Sequence, residues 1–189
     1  MDETTLDEIT LYDEALDETG RLVAAVTADQ LSRPSPCTGW DLGRLLAHLT
    51  TSLRQFTRQL DGLPMDFQAE PEVAADPVAA YHESAAALRA AWHQPGRLES
   101  EITMFGQPTP AATVLAWQLA EILLHGWDVA RTIGQQPGYD DAAVAAAAGF
   151  VTRNMPTERP PGSGFQPPTE PPAGASALDQ LAAFSGRVV

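Results

Sequence analysis

Glu121 and His125 stand four residues apart in the stretch Trp117-Gln118-Leu119-Ala120-Glu121-Ile122-Leu123-Leu124-His125. On a helix this spacing puts both side chains on one face, about 6 Å apart along the axis. Leu119, Ile122, Leu123 and Leu124 flank them, so the surroundings should be largely buried. A carboxylate and an imidazole in apolar surroundings need partners, because an unpaired charge there is costly. A divalent ion would satisfy both. His48 holds a matching place in Leu45-Leu46-Ala47-His48-Leu49, and two facing helices would bring it against the pair. A His, Glu, His set with positions left for water or substrate is the ligand count of a catalytic metal site, whereas a sealed structural site takes four ligands. The spacing leaves a plainer reading equally open: a stabilising Glu–His helix pair and an unrelated, hydrogen-bonded core histidine.

Helices must position these residues, and the periodicity supplies them. Over residues 6–26, Leu6, Ile9, Tyr12, Leu16, Val23 and Val26 recur at three- and four-residue steps, with acidic residues (Asp7, Asp13, Glu14, Asp17, Glu18) on what reads as a solvated face. Arg33-Pro34-Ser35-Pro36 breaks the chain into a loop. Asp41 is a good N-cap for a second helix, with Trp40 and Leu45 at hydrophobic-staple positions, and Asp61-Gly62 closes it after Leu60. Asp76-Pro77 opens a third helix that runs to about His93. Residues 101–105 read as a short extended piece before Gly106. Thr109-Pro110 is expected to cap a fourth helix ending at Gly134, and a fifth follows over residues 141–153. Seven of the seventeen residues 156–172 are proline, which excludes helix and central strand there. Residues 177–184 can then dock as a short helix. The expected fold is all-α: a bundle of four main helices over residues 1–155, with a proline-rich arm and a short terminal helix over 156–189 packed on the same domain.

Composition narrows the function. Of 189 residues, 44% are hydrophobic and 19% charged, which is globular rather than disordered. The net charge is −14, and all 11 basic residues are arginine without forming a basic patch, which argues against nucleic acid and anionic membranes as partners. One cysteine, Cys37, allows no intrachain disulfide. With no apolar leader or spanning stretch in the sequence, a cytoplasmic location is expected.

Other residues carry less. Cys37 precedes the second helix, where the dipole favours a thiolate, but a lone cysteine is more often a small buried hydrophobe. Asp128, three residues after His125, is placed to orient an imidazole or to balance Arg131. Gln118 is placed to face the cavity. Trp40 and Trp127 read as packing residues. His82 and His93 lie eleven residues apart, too far along one helix to share an ion, and solvent exposure is expected for both.

The segments Pro36-Cys37-Thr38-Gly39-Trp40-Asp41-Leu42-Gly43-Arg44-Leu45-Leu46-Ala47-His48-Leu49 and Glu121-Ile122-Leu123-Leu124-His125-Gly126-Trp127-Asp128 resemble the N-terminal family of mycothiol-dependent maleylpyruvate isomerase. That family lies within the DinB-like superfamily of metal-binding four-helix bundles, and the resemblance is nearest to an actinobacterial single-domain branch. It covers nearly the whole chain, including the terminal Ala177-Leu178-Asp179. It implies one divalent ion on His48, Glu121 and His125, zinc first and nickel second, and mycothiol as co-substrate. The separate C-terminal domain of the isomerase finds no counterpart in residues 156–189; if that domain contributes to substrate binding, maleylpyruvate isomerisation itself does not carry over. The expectation is a thiol S-transferase or isomerase acting on a small electrophile. A non-catalytic, stress-related metal-binding bundle and a metal-activated hydrolase stand as alternatives. Expected partners are a small-molecule substrate or thiol, with a homodimer as a conceivable assembly.

Overall fold

The computed structural model describes residues 3–66, 70–71, 74–159 and 165–189, and the side chains of residues 3–7 lie outside that description, so the expected burial of Leu6 does too. Helix α1 spans Glu3–Ala24, α2 Leu42–Leu60, α3 Pro77–Trp92, α4 Ala111–Ile133, α5 Asp141–Asn154 and α6 Ala177–Phe184. A 3-10 turn, Ala28–Gln30, follows α1, and two strands, β1 (Glu101–Met104) and β2 (Gln107–Pro110), precede α4. Both α1 and α2 pack on α3 and on α4, so the ring order round the bundle is α1, α3, α2, α4. Helix α5 lies on α4 and α1, and α6 on α5 and α4. No helix among the described residues is long and apolar enough to cross a membrane.

Local chemistry explains most boundaries. The Asp41 carboxylate accepts from the Arg44 amide, and Asp76 does the same for Ala79 with Pro77 in the first turn. Gly134, at φ 74°, terminates α4 in the left-handed conformation. The start of α4 corrects the sequence reading. Its N-cap is Pro110, no side chain caps it, and Thr109 belongs to β2 with its hydroxyl on the Gln107 carbonyl. Two prolines in Gln107-Pro108-Thr109-Pro110 argue against a strand, yet a two-stranded ribbon tolerates them because its outer amides need no partner. The turn Phe105-Gly106 has both φ values positive, 49° and 78°, as a two-residue hairpin of this twist requires.

The acidic face of α1 is more than a solvated surface. Asp13 and Asp17 hold Arg89 of α3, Asp13 also meets His93, and Glu18 pairs with Arg21 and accepts from the Gly138 amide.

A polar relay crosses the core. Gln118, fully buried, accepts from the Tyr12 hydroxyl (3.3 Å) and the Trp92 indole (2.9 Å) and donates to Gln59 (3.3 Å). Gln59 donates onward to the Thr103 carbonyl. One amide thus links α1, α2 and α3 to α4, and through Gln59 the hairpin, so Gln118 is a bundle tie and does not face the cavity near Glu121. Gln118→Ala should orphan two buried donors and leave a void, costing roughly 2–4 kcal/mol in urea denaturation. A loss below about 0.5 kcal/mol would mean that water replaces the amide.

Candidate metal centre

Helices α2 and α4 bring His48, Glu121 and His125 together: one ligand-type atom from each lies within 4.8 Å of the others. The two histidine rings meet edge to face, with centroids 4.8 Å apart. His125 Nε2 is 3.2 Å from a Glu121 oxygen, and its Nδ1 is 3.0 Å from Asp128 Oδ2. Asp128 is fully buried and receives Arg187 twice, from Nε (3.2 Å, to Oδ1) and from a terminal nitrogen (2.9 Å, to Oδ2). The Trp40 ring lies tilted against that of His48, with centroids 4.7 Å apart, and so walls the cluster.

The segment 125–128 works because each residue points a different way. His125 enters the cluster. Gly126 lets Tyr139 pass: a Cβ there would overlap the Tyr139 hydroxyl, which is hydrogen-bonded to Thr19 (2.7 Å). Trp127 donates to Asp179 of α6, and Asp128 anchors Arg187. Arg131 stacks over Trp127 instead of balancing Asp128, as its position in sequence suggested. Arg187 escaped the sequence reading because it is 59 residues from Asp128 and carries no motif. Cys37 was under-read: its thiol is half-buried and donates to Asp128 Oδ2 at 3.0 Å, with His125 Nδ1 and Arg187 each 3.8 Å away. His82 and His93 are exposed and lie outside the cluster, His93 paired with Asp13.

The charges fit a cation at one place. Burial, reinforced by repulsion from His125, holds His48 down to about 4, so it is neutral at pH 7 and offers a lone pair. For His125 burial opposes the cation, but the hydrogen bonds to Asp128, Cys37 and Glu121 prevail and lift it well above the imidazole range. Burial likewise disfavours the Glu121 carboxylate, and contact with His125 outweighs it and keeps it ionised. With Nδ1–H donated to Asp128, the second proton of His125 sits on Nε2, between the ring and Glu121. That is where an ion would bind, and the carboxylate behind the imidazole is the usual outer support of a metal-binding histidine. Cys37, His125 and Asp128 form a second ligand-type trio. It suits a metal poorly, because the Arg187 guanidinium already occupies the Asp128 oxygens.

This protonation pattern has a measurable consequence. Zinc binding at pH 7 should release about one proton, from His125, and affinity should rise with pH until the raised pKa of His125 is passed. Calorimetry in buffers of different ionisation enthalpy reads the number. No release would mean that the ion does not use His125 Nε2.

Glu121 also lines an apolar cavity of about 210 Å³ between α4, α5 and the hairpin.

Residues 12–130 match the mycothiol maleylpyruvate isomerase N-terminal domain, a span that includes His48, Glu121 and His125. Two curated relatives from Mycobacterium tuberculosis, the uncharacterized protein Rv0738 (strain H37Rv) and the uncharacterized protein MT0763 (strain CDC 1551), are each 30% identical over 185 residues, covering 97% of this chain and all of theirs. Among solved structures, mycothiol-dependent maleylpyruvate isomerase superposes with a TM-score of 0.63 at 19% identity, and a histidine-to-alanine mutant of it with 0.65 at 17%. Each match covers 78% of this chain and 69% of the isomerase, a likeness of fold. On the domain match and the full-length relatives together, the chain belongs to the mycothiol maleylpyruvate isomerase N-terminal domain family.

Proposed function

We propose that this protein is a metal-dependent enzyme that joins a low-molecular-weight thiol, mycothiol in the first instance, to a small electrophile in the cytoplasm. His48, Glu121 and His125 would hold one divalent ion, zinc ahead of nickel. The observation that carries this reading is His125, braced on Nδ1 by buried Asp128 while Nε2 meets Glu121 and the His48 ring lies edge-on to it. When bound, such an ion lowers the pKa of a coordinated thiol so that a nucleophilic thiolate is present at neutral pH. The chain's own residues supply the rest. Asp128 fixes the His125 tautomer, Arg187 keeps Asp128 ionised, and Trp40 shields the His48 side from water. Addition followed by bond rotation and elimination would make the same centre an isomerase; addition alone makes it a transferase.

The test is direct: zinc-loaded protein is incubated with mycothiol and a panel of electrophiles, and conjugates or isomers are followed by mass spectrometry. Rates above the thiol-only background that rise with pH and then level off support the reading, since only the thiolate attacks. Cys37→Ser should retain turnover, because the serine hydroxyl can make the same donation to Asp128. Loss of turnover in that variant with zinc content and stability intact would make Cys37 the nucleophile and overturn the assignment.

A further inference from the structure

Glu121 stands at the junction of two environments, the histidine cluster and the apolar cavity. Phe105, Trp117, Leu124, Phe150 and Met155 wall that cavity. Phe105, 67% exposed at the hairpin tip, packs its ring 5.8 Å from Trp117, so the mouth is aromatic as well. Among the described lining residues, polar side-chain groups come from Glu121, Asn154 and the Trp117 indole N–H, and none is cationic. Arg159 and Arg187 stand over the ring of Phe165, itself a lining residue, at 6.0 and 5.6 Å, but neither lines the cavity: Arg159 donates to the carbonyls of Gln166 and Phe184, and Arg187 to Asp128. The volume is below the roughly 300–1,000 Å³ of sites for drug-sized ligands, so the occupant is small, on the scale of one ring and a short chain.

We propose that this cavity receives the uncharged, apolar body of the electrophile, of the aryl or alkyl enone class, and rejects a diacid such as maleylpyruvate. The proposal rests on the reading of the adjacent centre as a thiol–electrophile site. An ion at Glu121 would answer one carboxylate of a diacid. The second would be stripped of water against aromatic walls, with no cationic side chain lining the cavity to receive it. An enone avoids that cost. The thiolate forms a C–S bond at the β-carbon while the C=C π pair moves into the enolate. The α-carbon then takes back the proton that the thiol lost, so no oxidant or further reactant is required.

Binding can be read without turnover, on the zinc-loaded full chain, with the unreactive ketone 4-phenylbutan-2-one and its derivative carrying a carboxylate para on the ring. The methyl carbon NMR signals of Met104 and Met155, both lining the cavity, report occupancy, and Met65 is the control. The ketone should shift Met104 and Met155 saturably and leave Met65 in place, and the para-carboxylate should bind at least tenfold more weakly. Asn154→Arg, an exposed substitution that adds a cation to the wall, should shrink that gap to about threefold or less. Equal binding of the two ligands, absence of any shift with the ketone, or an unchanged gap in Asn154→Arg would overturn the proposal. Selective binding without thiol adducts would count against the thiol chemistry and leave the apolar specificity of the cavity standing.

Discussion

Zinc titration of His125→Ala is expected to show affinity lowered by more than about 100-fold, beyond what loss of an outer-shell partner produces. His48→Ala and Glu121→Ala should follow, because each removes one of three ligands. His82→Ala and His93→Ala should bind zinc like the parent, since both side chains are exposed away from the cluster. His125→Ala also removes the cation that lies between Glu121 and Asp128, so its thermal stability should be recorded alongside. Asp128 keeps Arg187, and the fold should survive. Equal affinities across all five variants would show that the histidines assigned here are not the ligands.

The second large effect is expected at Arg187. Its guanidinium is buried against a carboxylate with no exposure, and both groups are shifted toward their charged forms: Arg187 is raised and Asp128 lowered against the opposing pull of burial. Removing one partner of such a pair typically costs about 3–5 kcal/mol. His125 remains as a partner for Asp128, so Arg187→Ala should fall near the lower end, about 3 kcal/mol by urea denaturation. Arg187→Lys should recover only part of this, because an ammonium cannot reproduce the two-point contact. Zinc affinity should fall as well, by about tenfold at pH 7. Without Arg187 nearby the His125 proton is held more tightly, so this deficit should shrink as pH rises. For Asp128 the sign runs the other way. Its lowered pKa contributes stability above the ordinary carboxylate value, lost only as pH falls through the depressed one. A fully stable Arg187→Ala would show that the arm is not fastened through this pair.

The bundle was legible in the sequence wherever local chemistry decides. The Asp41 and Asp76 caps, the 3.6-residue stripes and Gly134 act within one or two turns of where they stand. The partial failures share a cause. Thr109 has cap chemistry, but its pairing with Ile102 across a hairpin overrode it, and that pairing depends on a turn built from Phe105 and Gly106. Gln118 and Glu121 are both polar residues on α4, yet one is tied to Gln59, Tyr12 and Trp92 and the other reaches His125. Residue type could not separate these fates, because rotation of α4 against its neighbours is set by packing of the whole bundle. The i,i+4 pair of the candidate site was visible for the opposite reason: Glu121 and His125 share a helix. Arg187 was invisible because its partner is reached only after the proline-rich arm and α6 have brought the chain end back to α4.

The most direct measurement is zinc K-edge X-ray absorption on the zinc-loaded full chain. Binding through His48, Glu121 and His125 predicts one ion per chain with only nitrogen and oxygen neighbours at about 2.0–2.2 Å, and imidazole scattering equivalent to two histidines. Zinc at the neighbouring trio would instead bring in the Cys37 sulfur at about 2.3 Å with a single histidine. A sulfur shell, or a protein that takes up no zinc at all, would contradict the site.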